Sequence, residues 1–124
     1  MKNKIWITVP EEHDFPAALD FLGLLYSDAI AQEIVARLKN GETITKKAKD
    51  ILRASELPLL PKDNIHVKQD LQKVKNGKKL SPILLVRDGK LIIADGYHRV
   101  CSIYYLSEDL EVPCRITDKA ITAQ

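Results

Sequence analysis

The side chains best suited to catalysis or ligand binding lie in the short segment Asp95-Gly96-Tyr97-His98-Arg99. An aliphatic run precedes it and an amphipathic stretch, residues 97–106, follows it, so the pattern predicts a strand, a tight turn and a helix. Gly96 supplies the backbone freedom of the turn, and the first amides of the following helix have no helical acceptor. His98 and Arg99 stand in that first helical turn, where the helix dipole usually disfavours cations. Their placement indicates that an anion binds there.

A second interpretation of the same segment needs no ligand. Asp95 can serve as an ordinary helix N-cap, with His98 and Arg99 as solvated surface side chains. The residues of the segment alone leave both interpretations open.

Length and composition indicate one ordinary globular domain. The chain has 124 residues, of which 45% are hydrophobic and 29% charged, and its formal net charge is +2. These proportions are typical of a folded protein, and the net charge alone does not indicate a nucleic-acid partner. Seven lysines and arginines nevertheless fall between residues 68 and 90, against two aspartates. This local excess suits a phosphate-bearing ligand, a nucleic-acid backbone or a solvated helix face.

Cysteine usage and the N-terminal residues bear on the cellular compartment. Cys101 and Cys114 do not form a metal-type C-x-x-C pair, and we expect both to be buried thiols. No apolar run approaches the ~20 residues of a membrane span, and residues 1–6 lack the apolar core of a signal peptide. We therefore expect a cytoplasmic protein with no membrane partner. No second histidine and no cysteine lies near His13 or His66 in sequence, so neither is predicted to bind a metal.

The N-terminal residues predict one strand followed by helix. Residues 4–9 alternate like a strand, which is expected at an edge or as an added strand. Residues 15–40 have helical periodicity, with Asp14 as the candidate N-cap. Ser27 can restart the helix with a new cap, so one long helix and two shorter helices both fit the pattern.

The middle of the chain predicts two further helices separated by an extended connector. The first covers residues 46–55, with Thr45 as its cap. Residues 57–61, Leu-Pro-Leu-Leu-Pro, cannot continue it because the residue before each proline is pushed out of the helical region. The second helix covers about residues 65–76 and is capped by Asn64.

The C-terminal half predicts a small sheet. Residues 83–87 and 90–94 are aliphatic runs joined by Asp88-Gly89, the strongest short hairpin signal. The helix of the glycine turn follows, and residues 112–116 are the last predicted strand. Pro113 cannot donate a ladder hydrogen bond, so this strand is expected at an edge.

This order of elements resembles the ParB/sulfiredoxin superfamily over about residues 57–116. Residues 77–83, Gly-Lys-Lys-Leu-Ser-Pro-Ile, look like the segment that leads into the central strand of those proteins. Gly96-Tyr97-His98-Arg99 resembles their phosphate-binding signature. The resemblance implies an α+β fold, with a small mixed β-sheet flanked by helices. Residues 1–56 would be an N-terminal strand and helical extension, and residues 1–124 a single domain.

The resemblance also implies roles for individual residues. It implies that the phosphate tail of a nucleoside di- or triphosphate is bound by five residues, namely Lys68, Gly96, Tyr97, His98 and Arg99. Asp95 lies where the free-serine kinase branch has an acidic residue, which there would hold Mg²⁺ or accept a proton. The implied catalytic residues are therefore Asp95 and His98, and Asp95 is the implied metal ligand.

The chain departs from two branches that it resembles. Sulfiredoxins have a cysteine nucleophile directly after the glycine, where this chain has Tyr97, so we expect no sulfinic-acid reductase activity. ParB partition proteins attach a helix-turn-helix domain after the nucleotide module, and none follows here before Gln124. We therefore do not expect a complete partition protein.

Two classes of function fit these residues. The first is a nucleotide- or phosphate-binding protein, with phosphotransfer or nucleotide hydrolysis as its candidate activities. The second is a non-catalytic module of the same fold that binds DNA or a protein. DNA is thus a candidate but not a required partner, and a homodimer is a further candidate. The sequence does not decide between the two classes.

Overall fold

The computed structural model describes residues 5–120 and places five helices around one four-stranded sheet. The helices are α1 (Asp14–Leu25), α2 (Asp28–Lys39), α3 (Ala48–Ser55), α4 (Ile65–Lys75) and α5 (Tyr97–Leu106). The strands are β1 (Ile44–Lys47), β2 (Ile83–Asp88), β3 (Lys90–Asp95) and β4 (Glu111–Asp118). The expected α+β class, with a mixed sheet flanked by helices, is confirmed.

The sheet has the strand order β1-β4-β2-β3 and contains both kinds of pairing. β2 and β3 form an antiparallel hairpin, β2 and β4 pair in parallel, and β1 pairs antiparallel with β4. The chain leaves β3 at one edge, passes through α5 and returns as β4 on the far side of β2, because parallel neighbours need a crossover connection. The turn that contains Gly96 therefore lies at the end of an edge strand.

Both faces of the sheet are covered, because successive residues of a strand point to opposite sides. Leu84 and Val86 pack in a core with residues of α1 and α2, whereas Ile83 and Leu85 pack in a second core with residues of α3, α4 and α5. All four side chains are completely buried. The continuous aliphatic run of β2 is thus typical of a strand that is buried on both faces.

The first half of the chain contributes to this same sheet. α1 and α2 cover one of its faces, and β1 forms one of its edges. The strand predicted over residues 4–9 is wrong for the described residues: residue 4 lies outside them, and Trp6 makes a single isolated parallel bridge to Leu80. Leu80 N donates to Ile5 O at 2.7 Å and Ile7 N donates to Leu80 O at 2.9 Å. Trp6 is only 4% exposed, so burial of its indole and these two hydrogen bonds hold the segment.

The helical region of residues 15–40 is two helices, because Ser27 interrupts it. Ser27 has an extended backbone, and its Oγ accepts a hydrogen bond from Ile30 N at 3.3 Å, as an N-cap serine does. The prediction that Asp14 is the cap of α1 was wrong. His13 occupies that position, and Asp14 Oδ2 instead accepts a hydrogen bond from Glu11 N at 2.9 Å.

The helix predicted over residues 46–55 begins two residues late, and its predicted cap, Thr45, lies in a strand instead. β1 pairs with β4, with Thr45 opposite Pro113, and α3 begins only at Ala48. A backbone partner far away in sequence has overridden the local capping signal, since strand formation depends strongly on tertiary context.

β4 is an inner strand, so the expected edge position of residues 112–116 was wrong. Pro113 lies opposite Thr45 in the antiparallel pairing with β1, and the pairing with β2 begins one residue later, at Cys114. The proline, which lacks an amide hydrogen, therefore lies outside the parallel ladder.

The elements next to the glycine turn agree with the sequence pattern. Asn64 caps α4, and its Oδ1 accepts hydrogen bonds from the amides of His66 and Val67. Gly77 follows that helix with a φ of +79°. α5 spans residues 97–106, as predicted. Local signals suffice here because each cap or turn depends on neighbouring residues.

Cys101 and Cys114 are free and buried. Burial raises the pKa of the Cys114 thiol to about 11, which leaves it protonated and unreactive at neutral pH. The interpretation of both cysteines as small core residues is confirmed. Within residues 5–120, no helix is long and apolar enough to cross a membrane.

Gly96 is the residue on which the turn between β3 and α5 depends. Its φ is +113°, and a Cβ at this position would overlap Cδ1 of Ile83 and lie 3.1 Å from Cγ2 of the same side chain. Two constraints therefore exclude a side chain. The backbone conformation is one that L residues rarely adopt, and the turn lies directly against a buried residue of β2.

We expect Gly96→Ala to lower the free energy of unfolding by about 2–4 kcal/mol, because left-handed strain of about 1–2 kcal/mol adds to overpacking against Ile83. Gly77→Ala is the matched control, since Gly77 has a φ of +79° but nothing within 4 Å of its Cβ position. Gly77→Ala should therefore lower the free energy of unfolding only by the cost of the backbone strain. Urea denaturation measures both losses, and equal losses would show that contact with Ile83 is unimportant. Ile83→Val, which removes Cδ1, should recover part of the loss in Gly96→Ala.

Candidate functional site

A cleft of about 300 Å³ lies at the turn between β3 and α5. Its walls come from four parts of the chain: the start of α1 with the loop before it, one face of α4, the loop before β2, and the Gly96 turn with the start of α5. Most of the residues that line it are polar or charged. They are Glu11, His13, Asp14, Ala17, His66, Gln69, Asp70, Lys73, Lys79, Leu80, Ser81, Asp95, Gly96, His98 and Arg99.

The N-terminus of α5 opens into this cleft at Gly96. Gly96 is the N-cap residue and has no side chain that could cap the helix, and Val100 N donates to Gly96 O at 3.0 Å. The amides of Tyr97, His98 and Arg99 therefore precede Val100 N, the first amide that donates within the helix. They lie at the positive end of the helix dipole, an arrangement that favours anions.

Arg99 is held by its own protein. Its Nη1 donates to Ser81 O at 2.7 Å and to Ser81 Oγ, and its Nη2 donates to Asp95 Oδ2 at 2.5 Å. The side chain is only 12% exposed, and Asp14 Oδ2 lies 3.9 Å from Nη1. Both terminal nitrogens thus already have acceptors. A ligand in the cleft would therefore be attracted by the positive charge of Arg99, but it would not meet a free guanidinium fork to which it could bind.

Asp95 is a largely buried carboxyl group in the same network. Burial raises its pKa, the Arg99 guanidinium lowers it, and neighbouring Asp14 raises it again. The net direction is upward, so Asp95 keeps its proton to a higher pH than an exposed aspartate does. A carboxyl group perturbed in this way is typical of catalytic sites but also occurs in structural ion pairs. The catalytic role of Asp95 stays a prediction.

Asp95 does not belong to the group of converging metal-ligand atoms in the described part of the chain. That group consists of Glu11, His13 and Asp14, whose ligand atoms lie within 4.8 Å of one another. One oxygen of Asp95 is bonded to Arg99, which leaves its Oδ1 as the oxygen for a cation. Mg²⁺ binds through one or two carboxylates and several waters, so a single oxygen is only a partial fit. The metal role of Asp95 also stays a prediction.

His98 and His66 lie side by side where α5 packs on α4. Their ring centroids are 4.7 Å apart, and the rings are tilted by 56°. Burial is the main cause that lowers the pKa of His98, and the neighbouring His66 and Arg99 lower it further. Asp70 has the opposite effect and raises it. His98 is therefore mostly uncharged at neutral pH, since even an unperturbed histidine is largely neutral there.

α4 presents one face to the cleft. His66, Gln69, Asp70 and Lys73 are spaced by three or four residues and all line it. Burial raises the pKa of Asp70, and Lys73, whose Nζ lies 4.0 Å from Asp70 Oδ1, lowers it, with a net upward shift. Lys68, which was predicted to contact the ligand, lies off this face and does not line the cleft.

The side chain of Tyr97 points away from the cleft. Its hydroxyl donates to Pro58 O at 2.5 Å, and that of Tyr105 donates to Leu60 O at 2.6 Å. Two tyrosines of α5 therefore hold the extended connector of residues 57–61. Any part that Tyr97 has in binding a ligand falls to its backbone amide.

Sequence reasoning assigned no individual ligand role to five charged residues of the cleft, namely Glu11, Asp14, Asp70, Lys73 and Lys79. The two lysines were included only in the basic stretch of residues 68–90. Asp70 and Lys73 share the helical face of His66, so the periodicity of α4 could have found them. Lys79 lies in the segment that carries the resemblance. No local signal marks Asp14, because only the packing of α1 against β3 brings it to Asp95.

Comparisons of the chain with models of protein families, with curated proteins and with solved structures found no match. The resemblance to the ParB/sulfiredoxin superfamily therefore rests on the motif residues and on the order of the elements around them.

We expect Arg99→Ala to lower the free energy of unfolding by about 3 kcal/mol, because it leaves Asp95 and Asp14 without their cation. Asp95→Asn should cost only about 1 kcal/mol, since it removes a charge that burial disfavours. In the Arg99→Ala background, Asp95→Asn should therefore restore part of the lost stability. A double-mutant cycle by urea denaturation should give a coupling of about 1–2 kcal/mol, whereas additive losses would show that this ion pair contributes nothing.

Proposed function

We propose that this chain is a nucleotide- or phosphate-binding protein of the ParB/sulfiredoxin type, and that the phosphate tail of a nucleoside di- or triphosphate binds in the Gly96 cleft. The observation that carries the proposal is the N-terminus of α5, which opens into the cleft beside Lys73, Lys79 and His98. Helix amides and lysine ammonium groups are recurring components of phosphate sites.

The order of elements is compatible with the family part of the proposal. α4, the β2–β3 hairpin, the Gly96 turn, α5 and a strand parallel to β2 follow one another around a single sheet. A shared order of elements does not establish an activity. The proposal therefore depends on the cleft.

The charges of the cleft favour a short phosphate tail over a DNA backbone. Its walls include four carboxyl groups, those of Glu11, Asp14, Asp70 and Asp95. A duplex presents a continuous row of phosphates, which would meet these carboxylates as well as the lysines. A terminal phosphate group can instead lie next to the α5 amides. A non-catalytic DNA- or protein-binding module is the alternative, and DNA therefore belongs in the binding test.

The catalytic part of the proposal, phosphotransfer or nucleotide hydrolysis, assigns proton transfer to Asp95 or His98. Both line the cleft, and both have perturbed pKa values: burial raises that of Asp95 and lowers that of His98. In phosphoryl transfer, positioning and charge stabilisation supply most of the catalysis, so the amides and lysines matter at least as much as the base. Mg²⁺ would supply further charge neutralisation when bound with the nucleotide.

We expect a nucleoside di- or triphosphate to raise the melting temperature, because a ligand at about 100 times its dissociation constant adds about 2.7 kcal/mol. A panel of nucleotides, phosphate, pyrophosphate and a DNA duplex, compared by thermal unfolding, identifies the ligand. Lys73→Ala and Lys79→Ala should each weaken binding about tenfold, which is about 1.4 kcal/mol. Lys75→Ala and Lys78→Ala are matched controls, since these lysines do not line the cleft, and their affinity should be nearly unchanged.

Three results of this panel would count against the proposal. If no phosphate compound stabilises the protein, the cleft is not a phosphate site. Stabilisation by DNA alone would favour the alternative module. Equal weakening by the control variants would mean that binding follows general surface charge.

Asp95→Asn tests whether the site is catalytic. We expect the variant to fold, to bind nucleotide within about tenfold of the original protein, and to lose turnover, because an amide cannot accept a proton. Assays of phosphate release and transfer, with and without Mg²⁺, measure this. Tighter nucleotide binding with no turnover in either protein would instead mean that the carboxylate only repels the phosphate.

A further inference from the structure

The cleft contains more carboxyl groups than permanent cations. The cations are Lys73, Lys79 and Arg99, and the carboxyl groups are those of Glu11, Asp14, Asp70 and Asp95. While the histidines are neutral and the carboxyl groups ionised, the negative charges outnumber the positive charges by one. A dianion that entered this environment would therefore meet net repulsion, unless protons entered with it.

His66 and His98 are placed to receive such protons. Both rings line the cleft, and their centroids are 4.7 Å apart. The helices that carry them are joined by Ser102, whose Oγ lies 3.1 Å from Val67 O and 2.8 Å from His98 O and has one hydrogen to share between these two acceptors. Ser102 is completely buried, so this contact fixes the backbone of α4 relative to that of α5 and keeps both rings within reach of each other.

The charged groups around the pair have opposing effects on whether its imidazole rings are charged. Asp70, on the same helix as His66, favours a charged imidazole, whereas Arg99, on the same helix as His98, disfavours it. His66 also disfavours a positive charge on His98, because like charges at this distance repel. Lys73 from α4, Lys79 from the loop before β2, and the start of α1 complete the walls. An anion against the rings would shift this balance toward the imidazolium form.

We propose that the His66–His98 pair takes up protons when a phosphate-bearing ligand enters the cleft, so that the affinity for the anion rises as the pH falls. This inference rests on the proposed function and adds a pH dependence to it. The ligand class is an oxyanion with two or more negative charges. Each proton leaves hydronium or a buffer acid and forms an N–H bond on an imidazole nitrogen, and no other covalent bond is made or broken.

The sign of the effect follows from linkage. Burial lowers the pKa of His98 in the free protein, and a bound anion raises it. Affinity must then increase as the pH falls from the pKa of His98 in the complex toward its pKa in the free protein. For one proton the slope is at most tenfold per pH unit, so about 10- to 100-fold is expected between about pH 8 and pH 5.5. Without ligand, the lowered pKa of His98 makes the folded protein less stable as the pH falls below about 6.5, because the unfolded chain then binds the proton more readily than the folded protein does.

Sulfate is the probe of choice, because its own charge does not change over this pH range, whereas that of a nucleotide phosphate does. Calorimetry with sulfate and with ADP at pH 5.5, 6.5, 7.5 and 8.0 measures both affinities. Repeating the titration at pH 6.5 in two buffers of different ionisation enthalpy counts the protons, and we expect uptake of about half to one proton per sulfate. In NMR spectra, the titration midpoints of the two ring signals should move to higher pH when sulfate is added.

His66→Gln and His98→Gln test the assignment to the pair. Each variant should lose most of the pH dependence, because glutamine keeps a polar side chain but cannot take up a proton. His13→Gln is the matched control. It removes the third histidine of the cleft, which lies 3.6 Å from Asp14 and outside the pair, and it should keep the pH dependence.

The outcomes distinguish failure of the proposed function from failure of the pH dependence alone. Absence of binding of sulfate and ADP at every pH would overturn the proposed function and this inference with it. Binding of ADP with equal sulfate affinity at pH 5.5 and 8.0 would overturn the inference alone. A pH dependence that survives in both pair variants would also overturn it, and would assign the proton to Asp70 or Asp95. If either variant fails to fold, unmoved histidine signals in the original protein would give the same negative result.

Discussion

The ion pair of Arg99 with Asp95 is the interaction on which the rest of the cleft depends. Through its two terminal nitrogens the guanidinium joins the end of β3 to Ser81 in the loop before β2, and it lies within 4 Å of Asp14 at the start of α1. These three segments are far apart in sequence, so one side chain sets the relative position of three walls. Charges that are largely removed from water are costly unless they are paired, so the carboxylates need the arginine as much as it needs them.

Close packing adds a second constraint at the same place. Gly96 lies against Ile83, a completely buried residue of β2, so the turn is supported by the core and the N-terminus of α5 is fixed relative to the sheet. This packing would require glycine even without a ligand. Packing brings Lys73, Lys79 and the paired histidines to the cleft, but it does not require lysine or histidine side chains at these positions. They are the reason for preferring a binding site to a purely structural turn.

Sequence patterns predicted the elements whose signals are local. The Asn64 cap, the Asp88-Gly89 hairpin and the helix of residues 97–106 are all confirmed, since each depends on hydrogen bonds between near neighbours. The patterns failed where a distant partner decides the structure. Thr45 lies in a strand because β4 is beside it, and β4 is an inner strand because two other strands flank it. A capping residue or a proline carries no information about such partners.

By itself, the sequence determined the Gly96 turn and placed His98 and Arg99 in the first turn of α5, because helical geometry follows from neighbouring residues. Only the tertiary structure decided what meets there: Arg99 is bonded to Asp95, His66 lies against His98, and Lys73 faces the cleft while Lys68 does not. The physical reason is that burial of apolar surface on the two faces of the sheet selects which helix faces come together. The charged side chains on the remaining faces then meet wherever that packing places them.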